Sequence, residues 1–304
     1  MNMKKLLYIY NPNAGRQQSR VVLSEALEVL AAEGYQLTVF PTAHGGDAVK
    51  AAAELAPQFD RVVCCGGDGT LNEVVTGLLQ LPEEDRPVLG YIPMGSANDF
   101  ARNLDLPKTV AEQARLAAVG EGRYVDMGDS SGHTFTYVSA FGLFTEVSYS
   151  TPQNMKNLLG HFAYLLEGAG QLMNVPSYHM TVFAEGHSPL EGDFIYGMAG
   201  NTVSLGGVVS LPRGLVRQDD GEFEVLLIRK PHTFKDWQEI LTSAANLHLP
   251  CSGAVEAFTA KEVTFRCDRP VAWTVDGEFG GERTETIARV LPRAVRIVAG
   301  ESAE

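Results

Sequence analysis

Two textures of apolar and polar positions divide the chain. Up to about residue 120, short apolar runs of strand length alternate with stretches whose apolar positions recur every three to four residues. The runs at 6–10, 37–40, 61–65 and 88–92 read as strands. Between the first two, Val22, Leu23, Ala26, Leu27 and Leu30 recur at helical spacing, which predicts one helix over 19–32 with Gly34 as its stop. A short helix is expected at 47–55, after the Gly45-Gly46 turn and before Pro57, and another at 70–79. The fourth strand runs into Pro93-Met94-Gly95-Ser96-Ala97-Asn98 and a further helix. This β-α-β-α-β-α-β order calls for a parallel sheet with helices on its faces.

From Tyr124 onward strand-like segments dominate, at 123–127, 134–140, 178–184, 191–198, 222–228, 261–267, 271–275 and 286–290. Turn pairs such as Ser131-Gly132, Glu185-Gly186 and Asp276-Gly277 separate them, and two helical stretches interrupt at 161–173 and 234–247. The expected fold class is therefore α/β plus mainly β. An N-terminal parallel α/β domain, 1–125, precedes an antiparallel β-sandwich domain, 126–289, and the C-terminal strand, 290–304, is expected to return and complete the first.

Composition narrows the function class. Hydrophobic residues at 45% and charged residues at 20% are those of a soluble globular protein. No window approaches the roughly 18 uninterrupted apolar residues of a membrane span. The apolar run after Lys4-Lys5 stops after five residues at Asn11-Pro12, too short for a signal core. Four cysteines without framework spacing, two of them adjacent in an apolar strand, point to a reducing, cytoplasmic setting. The net charge is −13, and both halves are acidic: residues 1–125 carry 11 basic against 15 acidic side chains, the remainder 13 against 22. Nucleic acid is thereby an unsuitable partner, because phosphate neutralisation needs clustered Lys and Arg.

The chemistry is expected where strands end. Ligands of open parallel sheets bind outside the carboxyl ends of the strands. Three Gly/Asn-rich turns follow such ends: Asn11–Gly15, Gly66–Thr70 and Gly95–Asn98, with Thr42–Gly46 as a more ambiguous fourth. In Val62-Val63-Cys64-Cys65-Gly66-Gly67-Asp68-Gly69-Thr70-Leu71-Asn72-Glu73, a buried strand feeds a tight turn and a helix start. Glycines there let a ligand approach bare backbone, and the free N–H groups of the helix N-terminus suit phosphate. Asp68 then needs a metal, a water or a proton beside the anion. No Walker A or Rossmann glycine pattern follows a strand. Taken singly, each motif has a plain reading: Asp276-Gly277 as a hairpin turn, Asp219-Asp220-Gly221 as a solvated turn, Asp99 as a helix N-terminal carboxylate.

Jointly and in order, three stretches resemble the signature of the diacylglycerol-kinase catalytic domain: Asn11-Pro12-Asn13-Ala14-Gly15, Gly66-Gly67-Asp68-Gly69-Thr70-Leu71-Asn72-Glu73-Val74-Val75 and Ile92-Pro93-Met94-Gly95-Ser96-Ala97-Asn98-Asp99-Phe100-Ala101-Arg102. Gln218-Asp219-Asp220-Gly221-Glu222-Phe223 and Thr274-Val275-Asp276-Gly277-Glu278-Phe279 continue the match, which is nearest the soluble bacterial diacylglycerol kinases, relatives of sphingosine and ceramide kinases. The resemblance implies a first domain like those of NAD kinases and phosphofructokinases. It implies ATP held by Asn11, Pro12, Asn13, Ala14, Gly15, Thr42, Gly66, Gly67, Asp68, Gly69, Thr70, Leu71, Asn72, Gly95 and Ser96. It places Asp68 and Asp99 in a metal–water network around the phosphates, and a structural Mg²⁺ at Asp220 with neighbouring carbonyls at Arg217 and Glu222. The proton acceptor falls on Asp276-Gly277-Glu278, with Glu278 favoured as base and Asp276 as its partner. The implied acceptor is diacylglycerol, met by peripheral contact at the inner face of a membrane, and a second copy of the chain is a candidate partner. Another lipid acceptor, an NAD kinase activity and a non-catalytic binding role are the alternatives. The chain departs from the family at Ser96-Ala97, where a second Thr is common, and at the acidic Glu167 near a stretch where basic residues are common.

Overall fold

The computed structural model describes residues 3–143, 175–202, 204–205, 209–210, 217–233, 235–237, 239–240 and 253–300. The helix expected at 161–173 lies outside the described residues, as does much of that expected at 234–247. The chain divides into two compact units, Met1–Met127 with Pro292–Glu304, and Gly128–Leu291.

In the first unit, β1 (Lys4–Tyr10), β2 (Tyr35–Pro41), β3 (Arg61–Gly66) and β4 (Val88–Pro93) form a parallel sheet in the order β4-β3-β1-β2. Helices α1 (Ala14–Val21), α2 (Leu23–Ala32), α3 (Asp47–Leu55), α4 (Asp68–Leu78) and α5 (Val110–Val119) connect the strands. The strands are nearly continuous apolar runs because helices bury both faces. Leu6, Tyr8, Val63, Cys65 and Ile92 pack with Ala26 and Leu30 of α2 and Ala114 and Ala117 of α5. The last strand joins beside β4, with Ile297 opposite Leu89 in parallel register.

The helix expected over 19–32 is two helices broken at Val22. The first begins earlier, at Ala14, and the Ser19 hydroxyl donates to the Asn11 carbonyl at 2.6 Å, turning that segment toward the strand-end turn. α4 starts at Asp68 and not at Thr70, so the aspartate belongs to the helix's first turn.

The second unit is built of antiparallel pairs. It contains β6 (His133–Phe135), β7 (Val138–Gly142), β8 (Tyr178–Ala184), β9 (Leu190–Gly200), β12 (Phe223–Arg229), β13 (Val255–Ala260) and β14 (Glu262–Val275). The two-residue strands β10 (Ser204–Leu205) and β11 (Val209–Ser210) pair separately. Strand order runs β13-β12-β9-β7-β14-β15, with β8 against both β9 and β14. β5 (Gly122–Ser130) and β15 (Glu278–Val298) each contain a boundary between the units. The segments 261–267 and 271–275 read as separate strands, yet they are one strand with a register shift between Arg266 and Val271. Asp268-Arg269-Pro270 interrupts the alternation as a turn would, but the chain carries on through an exposed bulge. Phe141, Phe265 and Trp273 form the aromatic centre of this unit's core, with ring centroids 4.9–5.9 Å apart.

Candidate active site

In the first unit the strand-end turns are joined to one another. Asn11 N–H donates to the Cys65 carbonyl at 3.0 Å, Met94 N–H to the Gly66 carbonyl at 2.7 Å, and Thr42 N–H to the Tyr10 carbonyl at 2.9 Å. Each turn therefore begins as an extension of the sheet ladder. Glycine is required where the turns meet. A Cβ on Gly95 would lie 2.6 Å from the Gly67 Cα, and one on Gly15, whose φ is +58°, would collide with the Met94 carbonyl.

Side chains from the first two turns of α4 fasten the other turns. Asp68 accepts from the Asp99 and Phe100 N–H groups at 3.2 and 3.3 Å. The Thr70 hydroxyl accepts from Asn11 Nδ2 at 3.4 Å. Glu73 accepts from the Gly46 and Ala48 N–H groups at 2.8 and 3.2 Å. Leu71 N–H bonds to the Gly67 carbonyl at 3.0 Å, closing the first turn of the helix ladder. The donors before it lie ahead of the first intrahelical acceptor, at the positive end of the helix dipole. Gly67, Asp68 and Gly69 stand at this start, with Asn11 and Gly95 beside it, and a helix N-terminus with glycine backbone is suited to an anion. Pro12 is buried, Asn13 and Ser96 are exposed, and Ala14 opens α1. Leu71 is fully buried and its N–H is used within the helix, so its part is to pack the turn. Asn72 is half-buried one residue further on. Asp99 is 2% exposed, 3.6 Å from Arg102 Nε.

The second unit holds the other candidates. Asp276 and Gly277, with φ of +49° and +83°, form the two-residue turn between Val275 and Glu278, the pattern of a type I′ hairpin. The Asp276 carboxylate is buried and accepts from Thr136 N–H (2.6 Å), the Thr136 hydroxyl (2.8 Å), Tyr137 N–H (3.0 Å) and Val138 N–H (3.1 Å). Glu278, two residues on, is exposed. Asp220 lies in the turn before β12 and accepts from Glu222 N–H at 3.1 Å, while Arg217 sits 3.7 Å from Asp219. Among the described residues no three His, Cys, Asp or Glu side chains close on a common metal position. Nearby, one Glu224 oxygen is buried without a hydrogen-bond partner, and burial, with Asp220 as a lesser cause, pushes its carboxyl up to about 8. That acid crowding, with oxygen-only donors, fits a hard cation held by one carboxylate, carbonyls and waters.

The diacylglycerol kinase catalytic domain model matches residues 5–130. The diacylglycerol kinase of Staphylococcus aureus (strain MRSA252) is 32% identical over 280 residues, covering 92% of this chain and 87% of that protein. That of Bacillus subtilis (strain 168) is 31% identical over 282 residues, covering 92% and 91%. This chain belongs to the diacylglycerol kinase family. Its fold is that of a diacylglycerol kinase from Bacillus anthracis str. Sterne, with a TM-score of 0.77 at 24% identity over 100% of both chains.

In this member of the diacylglycerol kinase family, the groups under the turns are neutral. Burial pushes the Cys65 thiol up to about 11, and raises Cys64 and Tyr91 well above their ordinary values. The Tyr91 hydroxyl donates to the Gly66 carbonyl at 3.2 Å, holding the turn from below. Sequence reading missed Glu73 and Thr136. Glu73 carried a usable signal, an acid one helical turn beyond the glycines. Thr136 carried none, because its partner is 140 residues away.

Proposed function

We infer that this protein transfers the γ-phosphoryl group of ATP to the free hydroxyl of diacylglycerol, giving phosphatidic acid and ADP. The observation that carries the reading is the fastening of the strand-end turns by Asp68, Thr70 and Glu73 around one exposed helix N-terminus, in a chain of this family. Phosphoryl transfer is mostly positioning and charge stabilisation, plus one group to accept the hydroxyl proton. The donor phosphates rest on the Gly66–Gly69 backbone, with Asn11, Asn13, Gly15, Gly95 and Ser96 around them. Asp68 would hold Mg²⁺ through water beside the phosphates, where the ion would supply neutralisation of the charge on the transferred group. Asp220, with the carbonyls of Arg217 and Glu222, would hold a second, structural Mg²⁺.

Glu278 is the base, and Asp276 is its mount. The Asp276 oxygens already accept four hydrogen bonds, which hold the charge on the carboxylate and occupy its lone pairs. Glu278 is exposed on the same rigid turn and has an oxygen to offer. It takes the acceptor hydroxyl proton as that oxygen bonds to the γ-phosphorus and the bridge to ADP breaks. No helix among the described residues is long and apolar enough to cross a membrane. The lipid acceptor is met in this reading by peripheral contact at the inner face of a membrane. Radiolabelled ATP with diacylglycerol vesicles and Mg²⁺, followed by thin-layer separation, tests the reading. Labelled phosphatidic acid is expected; label appearing on NAD, or on no acceptor, would overturn it.

A further inference from the structure

The hairpin that carries Glu278 is held at a second place, beyond the pinned Asp276-Gly277 turn. Val275 pairs with Glu278 and Thr274 with Phe279, but the next residue of β14, Trp273, pairs with Gly281. Gly280 is therefore the extra residue of a β-bulge, an irregularity that re-aims the side chains beside it. Both glycines are required. A Cβ on Gly280 would lie 2.6 Å from Val275 Cγ2, and Gly281 has a φ of +101°. Residues opposite one another share a face of the sheet. Glu278 opposite Val275, Gly281 opposite Trp273 and Arg283 opposite Val271 thus line one face of β15. Arg283 reaches back along that face toward the tip: Nη2 donates to the Gly280 carbonyl at 2.7 Å and Nη1 to the Ser130 carbonyl at 3.3 Å. Gly281 leaves it room, because a Cβ there would lie 2.5 Å from Nη2. The buried Ser130 hydroxyl lies 2.8 Å from that of Ser139, whose partner across the ladder is Val275. The clamp therefore returns to the strand end from which the turn starts.

We propose that Arg283 is the positioning residue for Glu278: its guanidinium locks the Gly280 bulge, and the locked bulge fixes the direction in which Glu278 leaves the hairpin. The assignment rests on the reading of Glu278 as base given above and adds what aims it. Asp276 pins the turn from one end and Arg283 pins the strand from the other, with Glu278 and Phe279 the exposed pair between. A bulge of two glycines has the most backbone freedom to lose on ordering. Two charge-assisted hydrogen bonds from one half-buried cation remove that freedom close to the base. The planar fork suits the task, because it spans carbonyls of two strands where a point-like ammonium would hold one. A general base works only within hydrogen-bond reach of the hydroxyl, so the aim of Glu278 acts on rate as well as on stability.

The test is a double-mutant cycle on the full chain. Turnover on diacylglycerol vesicles is read with radiolabelled ATP, and melting temperatures fix an assay temperature at which every variant is folded. Arg283→Met, which keeps the stem and loses both donors, is expected to lower kcat about tenfold and to leave the KM for ATP within about twofold. Arg283→Lys, with one donor for the Gly280 carbonyl, should recover part of the rate, and it carries the same cycle if the Met variant does not fold. In a Glu278→Gln background, Arg283→Met should lower the residual kcat by less than about twofold, because the group it aims is gone. A purely structural role would lower both backgrounds alike. A tenfold fall in both, or full turnover in Arg283→Met, would overturn the assignment. A Glu278→Gln protein with full turnover would instead remove the base reading on which it rests. A wild-type chain that labels no diacylglycerol would remove the acceptor.

Discussion

Thr136 donates twice to Asp276, from its N–H at 2.6 Å and from its hydroxyl at 2.8 Å, across 140 residues of sequence. Tyr137 and Val138 add two further N–H groups to the same carboxylate. Asp276 thus does for the β14–β15 hairpin what a capping residue does for a helix. It fixes a turn whose own φ of +49° is costly for a residue with a side chain.

Asp276 and Glu278 should therefore separate experimentally. Asp276→Asn turns an amide NH₂ toward at least one of these donors and is expected to cost about 2–3 kcal/mol in urea unfolding. Glu278→Gln, at an exposed position, should change stability by less than about 0.5 kcal/mol. Removing this proposed base should nonetheless lower turnover by about 100-fold or more while ATP binding persists. An Asp276→Asn protein as stable as wild type, or a Glu278→Gln protein with full turnover, would exchange or cancel these roles.

The distinction marks where sequence stops being informative. Apolar periodicity located α3 at Asp47–Leu55 and all four parallel strands, because burial on both faces leaves an unmistakable run. Glycine-rich turns located the candidate nucleotide side, because bare backbone has few substitutes there. The different surroundings of Asp276 and Glu278 were not legible. They depend on three N–H groups of Thr136–Val138 that bond Asp276 alone, and backbone donors have no sequence signature. The break at Val22 was equally hidden, because the apolar positions keep helical spacing straight through it.

Asp68 carries a two-part expectation. Its oxygens accept from Asp99 and Phe100, so Asp68→Asn can keep one of those bonds while losing the charge proposed to lie beside Mg²⁺. Turnover should fall by about 100-fold or more, and the Mg²⁺ concentration for half-maximal rate should rise, with little change in the circular dichroism melt. A variant that melts much lower would make Asp68 chiefly a clamp on the Gly95–Phe100 turn.

The close approach of α3 to α4, the helix that begins at the Gly66–Gly69 turn, depends on Gly77. A Cβ there would collide with the Val49 carbonyl and lie 2.7 Å from the Ala52 Cβ. Alanine is the better helix former by about 1 kcal/mol, but overpacking against backbone costs about 1–3 kcal/mol. Gly77→Ala should thus be neutral to destabilising by up to about 2 kcal/mol, read by urea unfolding. It should also raise the KM for ATP, because the displaced helix is the one proposed to present the phosphate site.

The adjacent thiols of β3 give the last expectation, and its sign follows from burial. Cys64 and Cys65 are both fully buried, and desolvation raises both thiols, Cys65 to about 11 against an ordinary value near 9. Only the thiolate is nucleophilic, so native protein at pH 8 should leave both unmodified by iodoacetamide, as read by peptide mass spectrometry, and label both in urea. Stability follows the same shift. The folded chain holds these protons to higher pH than the unfolded chain does. Their contribution is therefore complete below pH 9 and, for Cys65, is lost as pH rises from 9 to about 11. Cys65→Ala should flatten the fall in urea midpoint across that window, whatever it costs in packing at pH 7. An unchanged alkaline slope, or rapid labelling of native protein at pH 8, would place these thiols nearer to solvent than β3 allows.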